Sequence, residues 1–334
     1  MPTSAENFDW GMFYKNKLQL LNRFTVSRRG GAERVSTMNI LYQQCPLCNN
    51  TNIVPVLRVK DYTVSSEIFE VWHCKTCTTR FTQNVPAGGD IGRYYKAEAY
   101  VSHTDTKKGL VNRLYHIVRN RTLQTKRTLV EKTTGLTKGA LLDVGAGTGA
   151  FAATMQQAGW TATGLEPDDT ARANALIQHN IKLQNPDTLF TLPTNSFDAI
   201  TLWHVLEHVH DLHEYLHTFN TLLKPNGVLL IAVPNYTSYD AAIYGEHWAA
   251  YDVPRHLYHF SPQSMAELVK QHGFTVTAYK PMWFDSFYVS MLSEQYKTGK
   301  GGLIKAVWNG LMSNMNAVSD NTKCSSVIYV MKKG

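Results

Sequence analysis

Leu142-Asp143-Val144-Gly145-Ala146-Gly147-Thr148-Gly149-Ala150 decides the fold. Ala140 to Val144 is an apolar run of strand length, and Ala150 to Ala158 reads as a helix stopped by Gly159. Glycines at such a crossing remove Cβ atoms, so the backbone can come close to a ligand. The helix N-terminus behind them offers free N–H groups to an anion. Strand, glycine turn and helix in this order form the opening unit of an open α/β sheet, which binds ligands at the carboxyl ends of its strands.

On either side of this unit the signals keep alternating. Thr161 to Glu166 reads as a strand, Asp168 to His179 as a helix, Ile181 to Gln184 as a short strand and Phe197 to Trp203 as another. Leu212, Tyr215, Leu216 and Phe219 mark one helical face within Asp211 to Leu223, and Gly227 to Val233 is a buried-strand run. Ser261-Pro262 opens a helix that Gly273 closes, and Phe274 to Tyr279 and Cys324 to Met331 supply the last strands. The pattern predicts an α/β fold over 136–334: a Rossmann-like, doubly wound, mainly parallel sheet with helices on both faces.

The glycine loop alone also satisfies a dinucleotide fingerprint, with Ala150 in the last small position. Three features favour S-adenosylmethionine. Asp143 stands two residues before the first glycine, where it can meet an ammonium group. The glycines fall as GxGxG. Glu166 ends the second strand, where an acid can accept both ribose hydroxyls.

Further on, Ser196-Phe197-Asp198-Ala199-Ile200 leads into Trp203-His204-Val205-Leu206-Glu207-His208-Val209. Leu223-Lys224-Pro225-Asn226-Gly227 then precedes the next strand. With the glycine loop, this ordered set resembles class I S-adenosylmethionine-dependent methyltransferases, nearest the branch of ubiquinone-type O-methyltransferases and sugar methyltransferases. The resemblance covers roughly Leu136 to Lys280. It implies that Asp143, Gly145, Ala146, Gly147, Gly149 and Glu166 hold the cofactor. Asp187, in the adenine region beside Asn185, and Trp203, at the strand exit that lines the transfer site, are the further cofactor contacts it implies.

His204-x-x-Glu207-His208 formally matches a zinc-peptidase signature, but such motifs sit inside long helices and this one leaves a strand. Ubiquinone-type methyltransferases carry an acid and then Glu-His at these positions, consistent with a divalent cation. His204 replaces the first acid here, and imidazole suits a hard cation less well than oxygen does. His204, His208 and His256 are the candidate bases for deprotonating an acceptor. His256 belongs to Trp248-Ala249-Ala250-Tyr251-Asp252-Val253-Pro254-Arg255-His256, a loop expected at the mouth of the site. Trp248, Arg255 and the upstream Tyr95 are its candidate substrate contacts, with Asp252–Arg255 pairing as the structural alternative. His210, His213 and His217 read as surface residues on a helix flank.

Upstream, Cys45-Pro46-Leu47-Cys48 and Cys74-Lys75-Thr76-Cys77 are separated by 25 residues, with β-type runs between and beside them. That is the layout of a zinc ribbon, whose small core a structural Zn²⁺ must supplement. The domains therefore divide as follows. Residues 1–37 form a basic extension, either a flexible arm or sequence upstream of a start at Met38. Residues 38–92 form the ribbon, 93–135 an aromatic and basic helical connector on the surface, and 136–334 the methyltransferase domain. The fifth cysteine, Cys324, reads as buried.

The 334 residues are 43% hydrophobic and 18% charged, a globular composition, and no apolar run reaches the ~18–20 residues of a membrane span. The net charge is +7, and residues 101–140 alone carry nine basic groups against two acidic ones. That stretch is a solvated helix face or the seat of an anionic partner. No signal-peptide core precedes Thr37, so reduced thiols in the cytoplasm are expected. The resulting expectation is a methyltransferase that uses S-adenosylmethionine, carries a structural Zn²⁺ and acts on a small molecule. An RNA methyltransferase using the basic connector is the less favoured enzyme. A binding module that merely keeps the cofactor fold is the non-enzymatic alternative.

Overall fold

The computed structural model describes residues 39–95 and 110–334, the latter with side chains from 118 onward. The extension over 1–37, and Tyr100 and His103 of the connector, lie outside the described residues. β1 (Ile53–Lys60), β2 (Ile68–Cys74) and β3 (Arg80–Thr82) form an antiparallel meander around the cysteine pairs. The connector becomes α1 (Leu110–Thr134), which packs Val130 and Leu123 against the sheet rather than lying wholly on the surface.

The larger unit then runs β4 (Ala140–Val144), α2 (Ala150–Gln157), β5 (Thr161–Leu165), α3 (Asp169–His179), β6 (Phe197–Trp203), α4 (Leu212–Leu222) and β7 (Leu223–Pro234). It continues through α5 (Tyr239–Tyr244), β8 (Tyr258–His259), α6 (Pro262–Gln271), β9 (Phe274–Pro281), α7 (Asp285–Thr298), α8 (Leu303–Ser319) and β10 (Ser326–Lys333). Six strands make one sheet in the order β5-β4-β6-β7-β10-β9. The first four are parallel neighbours, and β10 is antiparallel to both β7 and β9. The fold is thus α/β with a mainly parallel central sheet. Alternate β7 residues enter two cores: Leu229, Ile231 and Val233 on one face, Val228, Leu230 and Ala232 on the other. Burial on both faces explains its unbroken apolar run.

Local signals set several boundaries. Asp168 caps α3 by accepting from Ala171 N–H, and Ser261 caps α6 with a reciprocal bond to Ser264. Ile181 to Gln184 does not become a full strand. Gln184 makes a single parallel bridge to Leu165, and Asn185 and Pro186 at once start a short 3-10 turn.

Two features depart from the expected layout. β8 leaves the larger unit to become the fourth strand of the ribbon sheet, pairing Arg80 with His259 and Phe81 with Tyr258. The second is the helical pair α7–α8 between β9 and β10, which the sequence reading passed over. α7 buries Tyr288 and Val289 in an apolar cluster, with Ser286, Ser290 and Ser293 beside them, whereas the inward side of α8, including Asn309 and Ser313, is small and polar and lacks the usual buried apolar face. No helix among the described residues is long and apolar enough to cross a membrane.

Candidate active site

β4 ends at Val144 and the chain turns through Gly145, Gly147 and Gly149, with φ values of 69°, 64° and 75°. The left-handed values favour glycine, and Gly145 has a second reason. A Cβ there would lie 2.4 Å from Val205 Cγ2, so the loop sits against the exit of β6. Asp143 is buried and accepts a 2.7 Å hydrogen bond from Thr201 Oγ1 of the neighbouring strand. Burial pushes its carboxyl up to about 7, against the lowering effects of Thr201 and then Lys126.

Asp143, Gly145, Ala146, Gly147, Trp203 and His204 share one cavity of about 540 Å³. α1 contributes Arg119, Arg121 and Lys126 to its wall, and Lys126 Nζ lies 4.2 Å from the Trp203 ring centre. Trp283, Phe284 and Asp285 close another side. Glu166 is fully buried beside the loop, and its carboxylate accepts from Gly147 N–H at 2.9 Å and Asp168 N–H at 3.0 Å. Burial raises its pKa well above the usual range, and the two backbone donors oppose that. Gly149, Glu166 and Asp187 lie outside the cavity wall; Asp187 is exposed, its N–H donating to Asn185 Oδ1 at 3.0 Å.

His204 stands at the strand exit with φ 58°, its N–H bonded to Ala232 O at 2.8 Å. Its imidazole lies between two buried carboxylates. Nε2 is 2.7 Å from Asp285 Oδ2, and Nδ1 is 3.5 Å from Glu207 Oε1. Asp285 opens the unforeseen α7 and had no motif to announce it; only the fold brings it to the site.

The other two candidate histidines form a separate buried group behind His204, away from the cavity wall. His208 and His256 meet edge to face with ring centres 4.5 Å apart. His208 Nδ1 is 3.0 Å from Arg255 O and 3.1 Å from Tyr95 OH, while His256 Nδ1 is 2.8 Å from Ala250 O. Burial and then the adjacent His256 hold the His208 pKa well below the ordinary value. Glu207, His208 and His256 bring potential ligand atoms within 4.8 Å of one another. A cation there would take His256 rather than His204 as its third protein ligand.

Trp248 and Arg255 are in structural surroundings. Trp248 Nε1 donates to Asp240 at 2.8 Å. The Arg255 guanidinium bonds Asp61 at 3.0 Å and the Tyr94 carbonyl at 2.9 Å, and also pairs with Asp252 and Thr63. Burial would raise the Asp61 pKa, but Arg255 and the Ser65 and Thr63 donors bring it down to about 2. Two helix-flank histidines likewise reach the ribbon: His210 Nε2 lies 3.2 Å from Pro86 O, and His213 Nε2 lies 2.9 Å from Pro46 O. They are not free surface residues; His217 is exposed as expected.

The four ribbon cysteines converge in two matching knuckles. Cys45 N–H bonds Asn50 O, and Cys74 N–H bonds Thr79 O, both at 2.9 Å. The residue after each second cysteine, Asn49 or Thr78, takes a positive φ. Cys45 and Cys77 Sγ are 3.6 Å apart, as are Cys48 and Cys74 Sγ. Those gaps are far beyond the ~2.05 Å of a disulfide. They match the edges of about 3.8 Å of a tetrahedral zinc–thiolate centre with ~2.3 Å bonds. All four sulfurs lie within 4.8 Å of one another.

A family model for a methyltransferase domain matches residues 115–279. The ubiquinone biosynthesis O-methyltransferase of Vibrio parahaemolyticus serotype O3:K6 (strain RIMD 2210633) is 30% identical over 190 residues, 52% of this chain and 77% of that protein. The chain belongs to the methyltransferase family. A methyltransferase of the same description from Xanthomonas oryzae pv. oryzae (strain PXO99A) is 33% identical over 129 residues, 36% of this chain. The chain spans 54% of that relative's length. Among solved structures, a putative sarcosine dimethylglycine methyltransferase from Galdieria sulphuraria superposes with a TM-score of 0.46 at 15% identity, over 70% of this chain and 92% of that one.

Proposed function

We propose that this methyltransferase moves a methyl group from S-adenosylmethionine to an oxygen or carbon of a small molecule, quinone-, sugar- or lipid-precursor-like. The observation that carries the reading is the shared cavity: Asp143 and the glycine loop on one wall, His204 on another. Its volume falls within the ~300–1,000 Å³ of small-molecule sites.

The residues suit the cofactor. Asp143 is a buried carboxylate beside a neutral hydroxyl donor, and the cofactor's ammonium would add to the positive influence of Lys126 that opposes its burial. Gly145 and Gly147 bring bare backbone to the same wall. The cofactor contributes a sulfonium methyl open to direct displacement. The chain aligns the nucleophile and excludes water, and the His204–Asp285 pair, both residues on the cavity wall, takes up the proton of an attacking hydroxyl. Of the three candidate bases, His204 alone is on the cavity wall. Glu166 has a loop-bracing role in this reading, through Gly147 N–H.

Cys45, Cys48, Cys74 and Cys77 would hold one structural Zn²⁺. Their spacing fits four thiolates on a tetrahedral ion, which fastens a sheet that includes β8 of the larger unit.

The test has two stages. Titration calorimetry with S-adenosylhomocysteine should show binding that Asp143→Ala weakens. Labelled S-adenosylmethionine should then methylate a member of a panel of catechols, sugar nucleotides and lipid precursors. Label entering RNA alone would overturn the small-molecule reading, and absence of cofactor binding would overturn the methyltransferase reading.

A further inference from the structure

α8 is built inside out. Its inward residues are small or polar: Ala306, Asn309, Gly310, Ser313, Asn314 and Ala317. Ser313 Oγ donates to Asp240 at 2.7 Å, Asn309 Nδ2 to Tyr244 OH at 2.9 Å and Asn314 Nδ2 to the Trp283 carbonyl at 2.8 Å. Gly310 lets α7 come close; a Cβ there would meet Phe287 backbone at 2.9 Å. The large apolar residues face out instead. Ile304 is 88% exposed, Val318 76% and Trp308 59%, with Val307, Leu311 and Met315 completing the stripe. A surface helix of a water-soluble fold has the opposite arrangement. The inward bonds fix α8 in this orientation, so the stripe is a built surface.

The charges that flank the stripe along the chain bear on what would cover it. From 297 to 323 the chain carries Lys297, Lys300, Lys305 and Lys323, all exposed, against a single acid on the surface, Asp320. Lys305 also lies 3.5 Å from the buried Glu294. A second copy seated on this face by a twofold axis would set one basic rim against another. The chain's own first 38 residues, six basic and three acidic, carry the same sign. A surface of anionic headgroups over an apolar interior complements both features, and a tryptophan in the stripe suits that boundary.

We infer that α8 is a docking surface for an anionic lipid bilayer, lying in the interface with Ile304, Trp308 and Met315 inserted and the four lysines at headgroup level. The Asn314–Trp283 bond ties the inward side of α8 to the segment that carries the exposed Trp283 and Phe284, which line the cavity.

Flotation of the purified full chain with vesicles tests this. Binding should be strong to a phosphatidylcholine–phosphatidylglycerol mixture, weak to phosphatidylcholine alone, and reduced by salt. Ile304→Asp/Trp308→Asp should lower partitioning about tenfold or more, with an unchanged circular dichroism spectrum. Lys300→Glu/Lys323→Glu should lower it about tenfold on the anionic mixture while leaving the apolar stripe intact. Absence of vesicle binding would overturn the inference, as would binding that Ile304→Asp/Trp308→Asp leaves untouched. A stable dimer abolished by that same variant would overturn it in favour of a second copy.

Discussion

Thr82 Oγ1 donates a 2.7 Å hydrogen bond to the backbone carbonyl of His256, joining the last strand of the cysteine module to the loop that carries a candidate catalytic histidine. The contact is reinforced on both sides. Thr82 N–H bonds Leu257 O at 2.9 Å, and Leu257 N–H bonds the Glu207 carbonyl at 2.8 Å. The ribbon therefore braces the wall behind the site instead of hanging beside it.

Loss of zinc should accordingly be felt beyond the ribbon. The purified protein is expected to carry about one zinc per chain, the stoichiometry of a four-thiolate site. Cys45→Ser/Cys74→Ser should remove the metal and lower the melting temperature of the whole chain, because β3 and β8 lose their anchor. Elemental analysis and a thermal melt check this, and full zinc stoichiometry in the double variant would refute the ligand set.

Arg255 should behave as a structural residue. Its guanidinium faces Asp61 at 3.0 Å from 194 positions away, and all but 3% of its side chain is buried. Arg255→Met leaves Asp61 and Asp252 without their counter-charge, which should destabilise the fold by about 3–5 kcal/mol. Denaturant unfolding measures this. An unchanged midpoint together with impaired turnover would return Arg255 to substrate binding.

Asp143 should make cofactor affinity depend on pH. Its folded value of about 7 lies above the ordinary 3.8. The folded apoprotein therefore holds this proton where the unfolded chain has lost it. The stability contribution is complete below about pH 4 and is lost as pH rises through about 7. An ammonium placed against Asp143 favours the ionised form, so binding releases a proton below about pH 7. Affinity for S-adenosylhomocysteine should rise from pH 5.5 toward about 7 and then level off. Calorimetry in buffers of different ionisation enthalpy detects the released proton. A profile of unchanged slope in Asp143→Asn would remove Asp143 from the ammonium site.

Among the histidines, position relative to the cavity sets the expected ranking. His204→Ala should cost about 10²–10⁴ in turnover for a hydroxyl acceptor, with cofactor affinity nearly intact. His256→Ala should chiefly lower thermal stability, since its ring packs on His208 and bonds the Ala250 carbonyl. Paired measurements of melting temperature and methyl transfer separate the two. The reverse ranking would move the base to the buried group.

Much of the fold was legible in the chain, because the decisive signals are local. Ala140 to Val144 and Phe197 to Trp203 are strands at the bounds read from their apolar runs. Gly145, Gly147 and Gly149 take the left-handed turns that their lack of a side chain permits. The ribbon cysteines announced themselves by paired spacing. The helix at 303–319 was not read from the chain: an apolar helical period reads as a buried face, and only the packed structure turns this one outward.

What the sequence by itself determined is therefore everything fixed within a few residues: the alternation of strands and helices, the glycine turn, the Ser261 cap and the metal-type knuckles. The tertiary structure alone decided which distant groups meet. It set Asp285 beside His204, paired Arg255 with Asp61, gave β8 to the ribbon sheet, and put His204 on the cavity wall while burying His208 and His256 behind it. Periodicity and turn chemistry act along the chain, where sequence is read directly. A charge pair or a cavity wall depends on how separate elements pack, and neither partner carries a local mark of the other.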